Sequence, residues 1–215
     1  MTKPTGKGRK RKPVTGWLER DARVALRDAA RALGRLQRAT ARAVAEAAEA
    51  VVASLESGGT VYFCGNGGSA ADAQHLAAEL AGRYCVERPA LAAMALTTNS
   101  SALTAIANDF GFERVFARQL EGVGVAGDVL VAISTSGRSP NVLAAVQVAH
   151  EQGLTVIGMT GLRGRRFAAR CDIALVTPSA STPRVQEGHI VMGHALCELV
   201  ERALFPARPR RAGRP

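Results

Sequence analysis

The sequence predicts a doubly wound α/β fold, in which helices enclose a parallel sheet of about five strands. The first observation is a series of short β-rich runs that are apolar almost throughout, at 60–64, 91–97, 128–134, 155–160 and 173–177. Such runs indicate strands buried on both faces. The second observation is that segments with helical periodicity separate these runs, as crossovers between parallel strands require. Ligands bind such sheets beyond the carboxyl ends of the strands, so the loops after the strands are the candidate sites.

The segment before the first strand, from Trp17 to about Ser57, predicts an N-terminal helical pair. Apolar residues occur at helical spacing in LERDARVALRDAARAL and again in ATARAVAEAAEAVVASLE, and Gly58 and Gly59 end the second helix. A helical pair ahead of an α/β core suits an oligomer contact. It equally suits a cover over the sheet of its own subunit, and the sequence leaves both interpretations open.

The net charge of +10 resides in the two ends of the chain. Residues 1–13 contain six lysines or arginines and residues 205–215 contain four, with no acidic residue in either stretch, so the remainder is neutral. We therefore expect disordered basic tails at 1–15 and 206–215 around a single domain at 16–205. Blocks of like charge bind polyanions weakly without reading bases, so nucleic acid is not an expected partner.

Composition predicts a cytoplasmic protein with no membrane contact. No apolar run reaches the roughly 18 residues of a membrane span, and the N-terminus lacks the apolar segment of a secretory signal. The four cysteines are scattered without a CxxC pair, as is typical of reduced thiols in a reducing compartment.

The loop after the first strand, CGNGGS, contains Asn66, Gly67 and Gly68. Glycines allow positive φ angles and close approach of a ligand to the backbone, and the N-terminus of the following helix attracts phosphate. The loop matches neither the dinucleotide-binding motif nor the P-loop. A turn that only connects strand and helix remains the alternative.

The loop after the third strand, ISTSGRSPN at 133–141, is a stronger candidate for a phosphate site. Ser134, Thr135, Ser136 and Ser139 supply four hydroxyls within six residues, directly before a helix. Hydroxyls and free backbone N–H groups at a helix start bind phosphate without any lysine. Capping alone would require fewer hydroxyls, so phosphate binding is the preferred interpretation.

A third loop, AIANDFGFE at 105–113, places Asn108 and Asp109 at a predicted turn. Their side chains could hydrogen-bond the hydroxyls of a polyol. Asn-Asp more often serves the turn itself, so this pair carries little weight alone.

Two predicted helices contain residues with metal-binding chemistry. His75 and Glu79 lie four residues apart, so they share one helix face and could hold one ion or form a surface ion pair. Gln186, His189 and His194 interrupt the apolar pattern of the last helix, as ligands or as satisfied core residues would.

Four segments in order carry a family resemblance: GNGGSAADAQHLAAEL, LTAIANDFGFE, GDVLVAISTSGRSPNV and RVQEGHIVMGHALCELVE. From about residue 20 to 205 the chain resembles the bacterial phosphoheptose isomerases of the sugar isomerase (SIS) domain superfamily. The resemblance implies a cytosolic, zinc-dependent homotetramer that converts sedoheptulose 7-phosphate to D-glycero-D-manno-heptose 7-phosphate. That reaction is the first step toward heptose for lipopolysaccharide cores and other surface glycans.

The resemblance also implies roles for individual residues. The implied metal ligands are His75, Glu79, Gln186 and His194. The implied substrate contacts are Asn66, Gly67, Gly68, Glu79, Asn108, Asp109, Ser134, Thr135, Ser136, Ser139 and Gln186. Glu79 is the implied base and His194 the implied acid of an isomerisation through an enediolate.

Gln186 and His194 are eight residues apart, which in a helix is a rise of about 12 Å. That distance is long for two side chains of one helix to bind the same ion. Either Gln186 lies at a frayed helix start or the ligands come from different subunits. We favour a site built across a subunit interface, which would also account for a tetramer.

Two features depart from the family pattern. Arg138 stands where many relatives have asparagine, and LRGRRF at 162–167 replaces a common acidic and glycine-rich turn. Substrate fit or phosphate affinity is therefore expected to differ, and the added positive charge favours an anionic substrate.

Two other functions suit the same superfamily. Related non-catalytic tetramers bind the bacterial replication initiator, and AQH, LTAIAND and LFP also resemble that group, which lacks the acid and imidazole found here at Glu79 and His194. A module for N-acetylated amino-sugar phosphates is the other alternative, and the residues implied as metal ligands argue against it.

Overall fold

The computed structural model describes residues 16–206, so the tails predicted at 1–15 and 206–215 lie outside it apart from Pro206. Five parallel strands form one sheet in the order β2-β1-β3-β4-β5. The strands are β1 (Val61–Gly65), β2 (Ala93–Ala95), β3 (Val129–Ile133), β4 (Thr155–Gly161) and β5 (Ile173–Thr177). The predicted doubly wound α/β class is confirmed.

Helices cover both faces of this sheet. They are α1 (Gly16–Glu56), α2 (Gly68–Ala81), α3 (Ser100–Phe110), α4 (Ala117–Val123), α5 (Pro140–Glu151), α6 (Arg165–Ala168) and α7 (Thr182–Leu204). Helices α1, α2 and α7 pack over one face, and α3 to α6 pack over the other. Within the described residues, no helix is both long enough and apolar enough to span a bilayer.

Alternation along the strands explains why their sequences are apolar throughout. In β1, Val61 and Phe63 point into the first core, whereas Tyr62 and Cys64 point into the second. All four side chains are buried, so neither face of the strand tolerates polar residues.

The prediction of an N-terminal helical pair is wrong, because α1 is one continuous helix of 41 residues. The predicted break fell near Gly34, and a single glycine in a helix costs only about 1 kcal/mol relative to alanine. No proline interrupts the segment, and alanine, arginine and leucine favour helix on both sides. The buried positions of α1 begin at Ala32, whereas Trp17 and Leu26 in its first half are exposed.

The chain reverses its direction of winding between β1 and β3, which are neighbours in the sheet. After β1 the chain enters α2 on one face, and after β3 it enters α5 on the other. This divergence opens a crevice at the carboxyl ends of both strands. CGNGGS and the serine-rich loop follow those two strands.

Candidate active site

The turn between β1 and α2 is shaped by Gly67, which has a φ of 55°. Gly67 occupies the N-cap position of α2, so no side chain caps the helix there. A residue with a Cβ would be strained at this φ. The oxygens of Asn66 and Gly67 already accept the N–H groups of Ser69 and Ala70, so within the described residues the Gly68 N–H is the one at this helix start left for an anion.

Asn66 is held by Asn141, the second residue of α5. Two hydrogen bonds of 2.8 Å join the side chains, because each amide group donates to the oxygen of the other. Asn141 is buried, and its Oδ1 also accepts the backbone N–H of Val142. Both asparagines border a cavity of about 220 Å³, which is also lined by Phe112, Glu113, Ser139 and Pro140.

The serine turn, residues 134–139, folds back on itself at Gly137. The hydroxyls of Ser134 and Ser139 lie 3.1 Å apart, and Ser134 Oγ accepts the N–H of Gly137. Ser139 is the N-cap residue of α5, yet its hydroxyl makes no capping hydrogen bond. Thr135 and Ser136 are partly exposed on the same turn. The turn thus presents hydroxyls beside a helix N-terminus, an arrangement suited to a phosphate.

His75, Glu79 and His194 form one cluster. The Nε2 atom of His75 lies 2.8 Å from Nε2 of His194 and 3.4 Å from Oε1 of Glu79. One ligand atom from each residue lies within 4.8 Å of the other two, so this group could hold a metal ion. The cluster is open to solvent in the single chain, since the His75 side chain is 45% exposed.

Close contact between α2 and α7 brings the two histidines together. Gly193 precedes His194, and a Cβ at Gly193 would lie 2.6 Å from the methyl carbons of Leu76, the residue after His75. A larger residue at 193 would therefore push the helices apart. Glu79 joins the cluster because it lies one helical turn beyond His75.

Asp72 and Tyr84 also lie beside this cluster. Within residues 16–206, the buried Oδ2 atom of Asp72 has no hydrogen-bond partner. Burial raises the pKa of the Asp72 carboxyl, although the nearby His75 and His194 oppose the rise. The Tyr84 ring lies 5.8 Å from the His194 ring. A partly buried carboxyl group beside two imidazoles adds an oxygen with metal-binding chemistry to the cluster.

A buried ion pair anchors the C-terminal end of α2. Arg88 donates to the carbonyl oxygens of Glu79 and Leu80, and its Nε lies 2.9 Å from Oε2 of Glu201. Glu201 also accepts the backbone N–H groups of residues 84–86. Burial alone would raise the pKa of Glu201, but the three N–H donors and Arg88 outweigh burial and lower it. The pair fixes the turn that carries Glu79 and Tyr84.

Gln186 does not lie at a frayed helix start, because α7 begins four residues earlier, at Thr182. Its side chain packs against Gly68, where an added Cβ would overlap the Gln186 amide. Gln186 therefore lies over the start of α2, whereas His75 and Glu79 lie about two and three turns further along that helix.

Asn108 and Asp109 are not in a turn, as was expected, but in the last turn of α3. Gly111, with a φ of 89°, follows the helix and supplies the change of direction. Asn108 Nδ2 donates to Asp109 Oδ1 at 2.7 Å, and both residues are exposed. In the single chain these two side chains are thus bonded to each other rather than to the serine turn.

Three residues near the site were not predicted from the sequence: Asn141, Asp72 and Tyr84. Asn141 belongs to the serine-rich motif, but its pairing with Asn66 spans 75 residues and leaves no local signal. Asp72 precedes His75 by three residues, so helical spacing could have identified it.

The comparisons with known proteins agree with this architecture. The SIS domain model matches residues 26–161. A phosphoheptose isomerase from Rhodospirillum rubrum is 60% identical over 164 residues, which cover 76% of this chain and 87% of that relative.

Two solved structures have the same fold over most of the chain. A phosphoheptose isomerase from Neisseria gonorrhoeae superposes with a TM-score of 0.81 at 44% identity, covering 86% of this chain and 98% of that one. A phosphoheptose isomerase from Francisella tularensis superposes with a TM-score of 0.82 at 36% identity, covering 88% of this chain and 100% of that one. The chain therefore belongs to the SIS domain family and, within it, to the phosphoheptose isomerases.

Proposed function

We propose that this protein interconverts sedoheptulose 7-phosphate and D-glycero-D-manno-heptose 7-phosphate, the first step of heptose biosynthesis. The observation that carries the proposal is the convergence of His75, Glu79 and His194 in a chain that also presents the serine turn. The relatives named phosphoheptose isomerases support the substrate class. The non-catalytic alternative, binding of a replication initiator, gains no support from these relatives.

The serine turn would bind the phosphate of the sugar. Hydroxyls of Ser134, Thr135, Ser136 and Ser139 and the N–H group of Asn141 would donate to its oxygens, since Pro140 has no N–H and that of Val142 is bonded to Asn141. The glycine loop, Asn66–Gly68, would face the sugar across the crevice, with Gln186 over Gly68. Binding energy from the phosphate would hold the reacting carbons in place, so that fewer degrees of freedom are lost in the transition state.

Two side chains would move the protons of the isomerisation. In the direction of the aldose, Glu79 would remove a proton from C1 of the ketose and return one to C2 of the enediolate. His194 would donate a proton to the oxygen on C2, and the hydroxyl on C1 would lose its own. Each step conserves protons, so the reaction needs no external oxidant or reductant.

The cluster fits a zinc ion in both chemistry and size. Two imidazoles and a carboxylate are common zinc ligands, and atoms that share a tetrahedral zinc lie about 3.3 Å apart. The observed separations from His75 Nε2 are 2.8 and 3.4 Å. When bound, the ion would supply a positive centre that stabilises negative charge on the substrate oxygens.

We propose that a second copy of the chain completes the site within a homotetramer. His75, Glu79 and His194 converge in one chain, whereas Gln186 packs over Gly68. A Gln186 from a neighbouring copy could then supply the fourth ligand, while the chain's own Gln186 faces the substrate. The exposed first half of α1, with Trp17 at 57% and Leu26 at 71%, is the candidate contact between copies.

The test is to incubate the purified protein with sedoheptulose 7-phosphate in D₂O, with and without a chelator. We expect the aldose to form with deuterium at C2, and we expect the chelator to abolish its formation. Glu79→Gln and His194→Ala should each lower kcat at least about a thousandfold without loss of folding. His150→Ala, which alters an exposed histidine, is the control, and full activity in Glu79→Gln or His194→Ala would refute the assigned roles.

A further inference from the structure

A second cavity, of about 700 Å³, lies beside the serine turn. We call it the arginine groove, because five of its lining residues are Arg138, Arg163, Arg165, Arg166 and Arg170. Its volume lies within the roughly 300–1,000 Å³ of small-molecule sites. These arginines come from the serine turn and from the segment after β4, where the sequence departs from the family pattern.

The positive charge of the arginine groove is not balanced by nearby acids. No acidic residue lines it, and within residues 16–206 none of the five guanidinium groups forms a salt bridge. Glu151 is the sole acidic residue between 136 and 170, and its carboxylate accepts a hydrogen bond from Gln147. Five such cations around one concave surface create a field that favours an anion of high charge.

The arginine groove adjoins the proposed phosphate site, because Ser136 lines it, but it differs from the cavity of about 220 Å³ beside Asn66 and Asn141. The two cavities share no lining residue, since one is bordered by Ser136–Arg138 and the other by Ser139–Asn141. Close packing holds the serine turn against the segment after β4. A Cβ at Gly137 would lie 2.7 Å from Cβ of Phe167 and 2.8 Å from Cα of Gly164.

We infer that the arginine groove binds a small soluble ligand that carries a diphosphate group, as a nucleoside diphosphate does. A guanidinium group pairs with phosphate through two parallel hydrogen bonds, so one phosphate engages two or three arginines and five arginines accommodate two phosphates. Leu143 and Leu162 also line the groove and offer apolar surface to a group attached to the diphosphate. This inference goes beyond the proposed isomerase activity, and binding requires no turnover.

The inference is tested by calorimetric titration of the full-length protein with pyrophosphate, ADP and inorganic phosphate at physiological ionic strength. We expect saturable binding of pyrophosphate and of ADP, each at least about tenfold tighter than that of inorganic phosphate. Arg165→Ala/Arg166→Ala should weaken both about tenfold or more. The control, Arg23→Ala/Arg42→Ala, removes two exposed arginines paired with Glu19 and Glu46, and should leave binding unchanged.

Further measurements separate the arginine groove from other basic surfaces and from the isomerase site. Saturating sedoheptulose 7-phosphate should not displace pyrophosphate, and Arg165→Ala/Arg166→Ala should keep kcat and KM within about twofold of the parent values. Competition between the two ligands would mean that pyrophosphate occupies the sugar site, which would overturn the inference. The inference would also be overturned if Arg165→Ala/Arg166→Ala bound pyrophosphate as tightly as the parent protein, or if the control lost as much affinity as that variant. Binding of an oligonucleotide but not of pyrophosphate or ADP would overturn it as well.

Discussion

Asn66 and Asn141 exchange two 2.8 Å hydrogen bonds across the crevice between the glycine loop and α5. This pair fixes the direction in which the Asn66 amide faces the proposed sugar site. Asn141→Ala removes both bonds and releases the Asn66 side chain. We expect KM for the sugar phosphate to rise about tenfold, equivalent to roughly 1.4 kcal/mol of lost binding, with a smaller change in kcat.

Steady-state kinetics check this prediction, and Gln147→Ala is the matched control. Gln147 is an exposed amide on the same helix, six residues further along. A loss of kcat with unchanged KM in Asn141→Ala would show that the pair supports the chemical step rather than substrate binding.

The buried His189 predicts a dependence of stability on pH. Within residues 16–206 neither ring nitrogen has a partner of good hydrogen-bond geometry, and burial lowers its pKa from 6.5 to about 4 against a weaker opposing effect of the Thr160 backbone. The neutral ring is therefore required in the folded state. The fold keeps this part of its unfolding free energy above pH 6.5 and loses it as the pH falls from 6.5 toward 4. In that range the unfolded chain binds a proton at His189 that the folded chain excludes.

Urea denaturation at pH 7.5 and pH 5 measures this effect. The parent protein should lose about 2 kcal/mol of unfolding free energy through His189 alone. His189→Leu should remove that part of the loss, whereas His150→Ala should retain it. An equal pH dependence in His189→Leu and the parent would assign the loss to other groups.

We predict that removing one member of the Arg88–Glu201 pair destabilises the fold more than removing both charges. The two side chains are only 1% and 3% exposed. Glu201→Gln leaves the Arg88 charge buried without its carboxylate, so we expect a loss of about 3–5 kcal/mol in unfolding free energy. Binding of the proposed zinc should weaken as well, because Arg88 holds the carbonyl of Glu79.

The control for this prediction is Arg23→Ala, which breaks an exposed pair with Glu19 and should cost less than about 1 kcal/mol. The double variant Arg88→Met/Glu201→Gln should recover part of the loss, since no charge then remains buried. A loss in Glu201→Gln as small as the control's would show that the pair is solvated rather than buried.

Local sequence patterns were sufficient to predict the sheet but not the contacts between distant segments. Apolar runs located all five strands because β1, β3 and β4 are buried on both faces, although Met94 in the edge strand β2 is exposed. Two helices were predicted in place of α1 because the apolar pattern is a local criterion, whereas a long helix tolerates a weak position such as Gly34. Glu201 was not identified because a glutamate in an amphipathic helix usually faces solvent.

The candidate site shows the same limit. His75 and Glu79 were identified by their spacing, but His194 lies 119 residues from His75, and only the family resemblance joined them. The contact between Gly193 and Leu76 that brings the histidines together depends on how α2 and α7 pack. The individual roles of these residues stay predictions.

The proposed contribution of Gln186 from a neighbouring copy can be tested by mixing two inactive variants. His194→Ala and Gln186→Ala should each lower kcat strongly, because each removes a proposed ligand. If one site combines His194 of one chain with Gln186 of another, hybrid oligomers contain some sites in which both residues are intact. Random mixing after reversible dissociation should make about a quarter of the sites complete in both proposed ligands, so the activity should rise above that of either variant alone.

The control is a mixture of His194→Ala with Glu79→Gln, residues that converge within one chain. No arrangement of those two chains regenerates an intact cluster, so the activity should stay at the level of the single variants. Recovery in the first mixture and not in the second would place Gln186 in the site of its neighbour. The absence of recovery in both, with hybrid formation verified by native mass spectrometry, would confine the whole site to one chain.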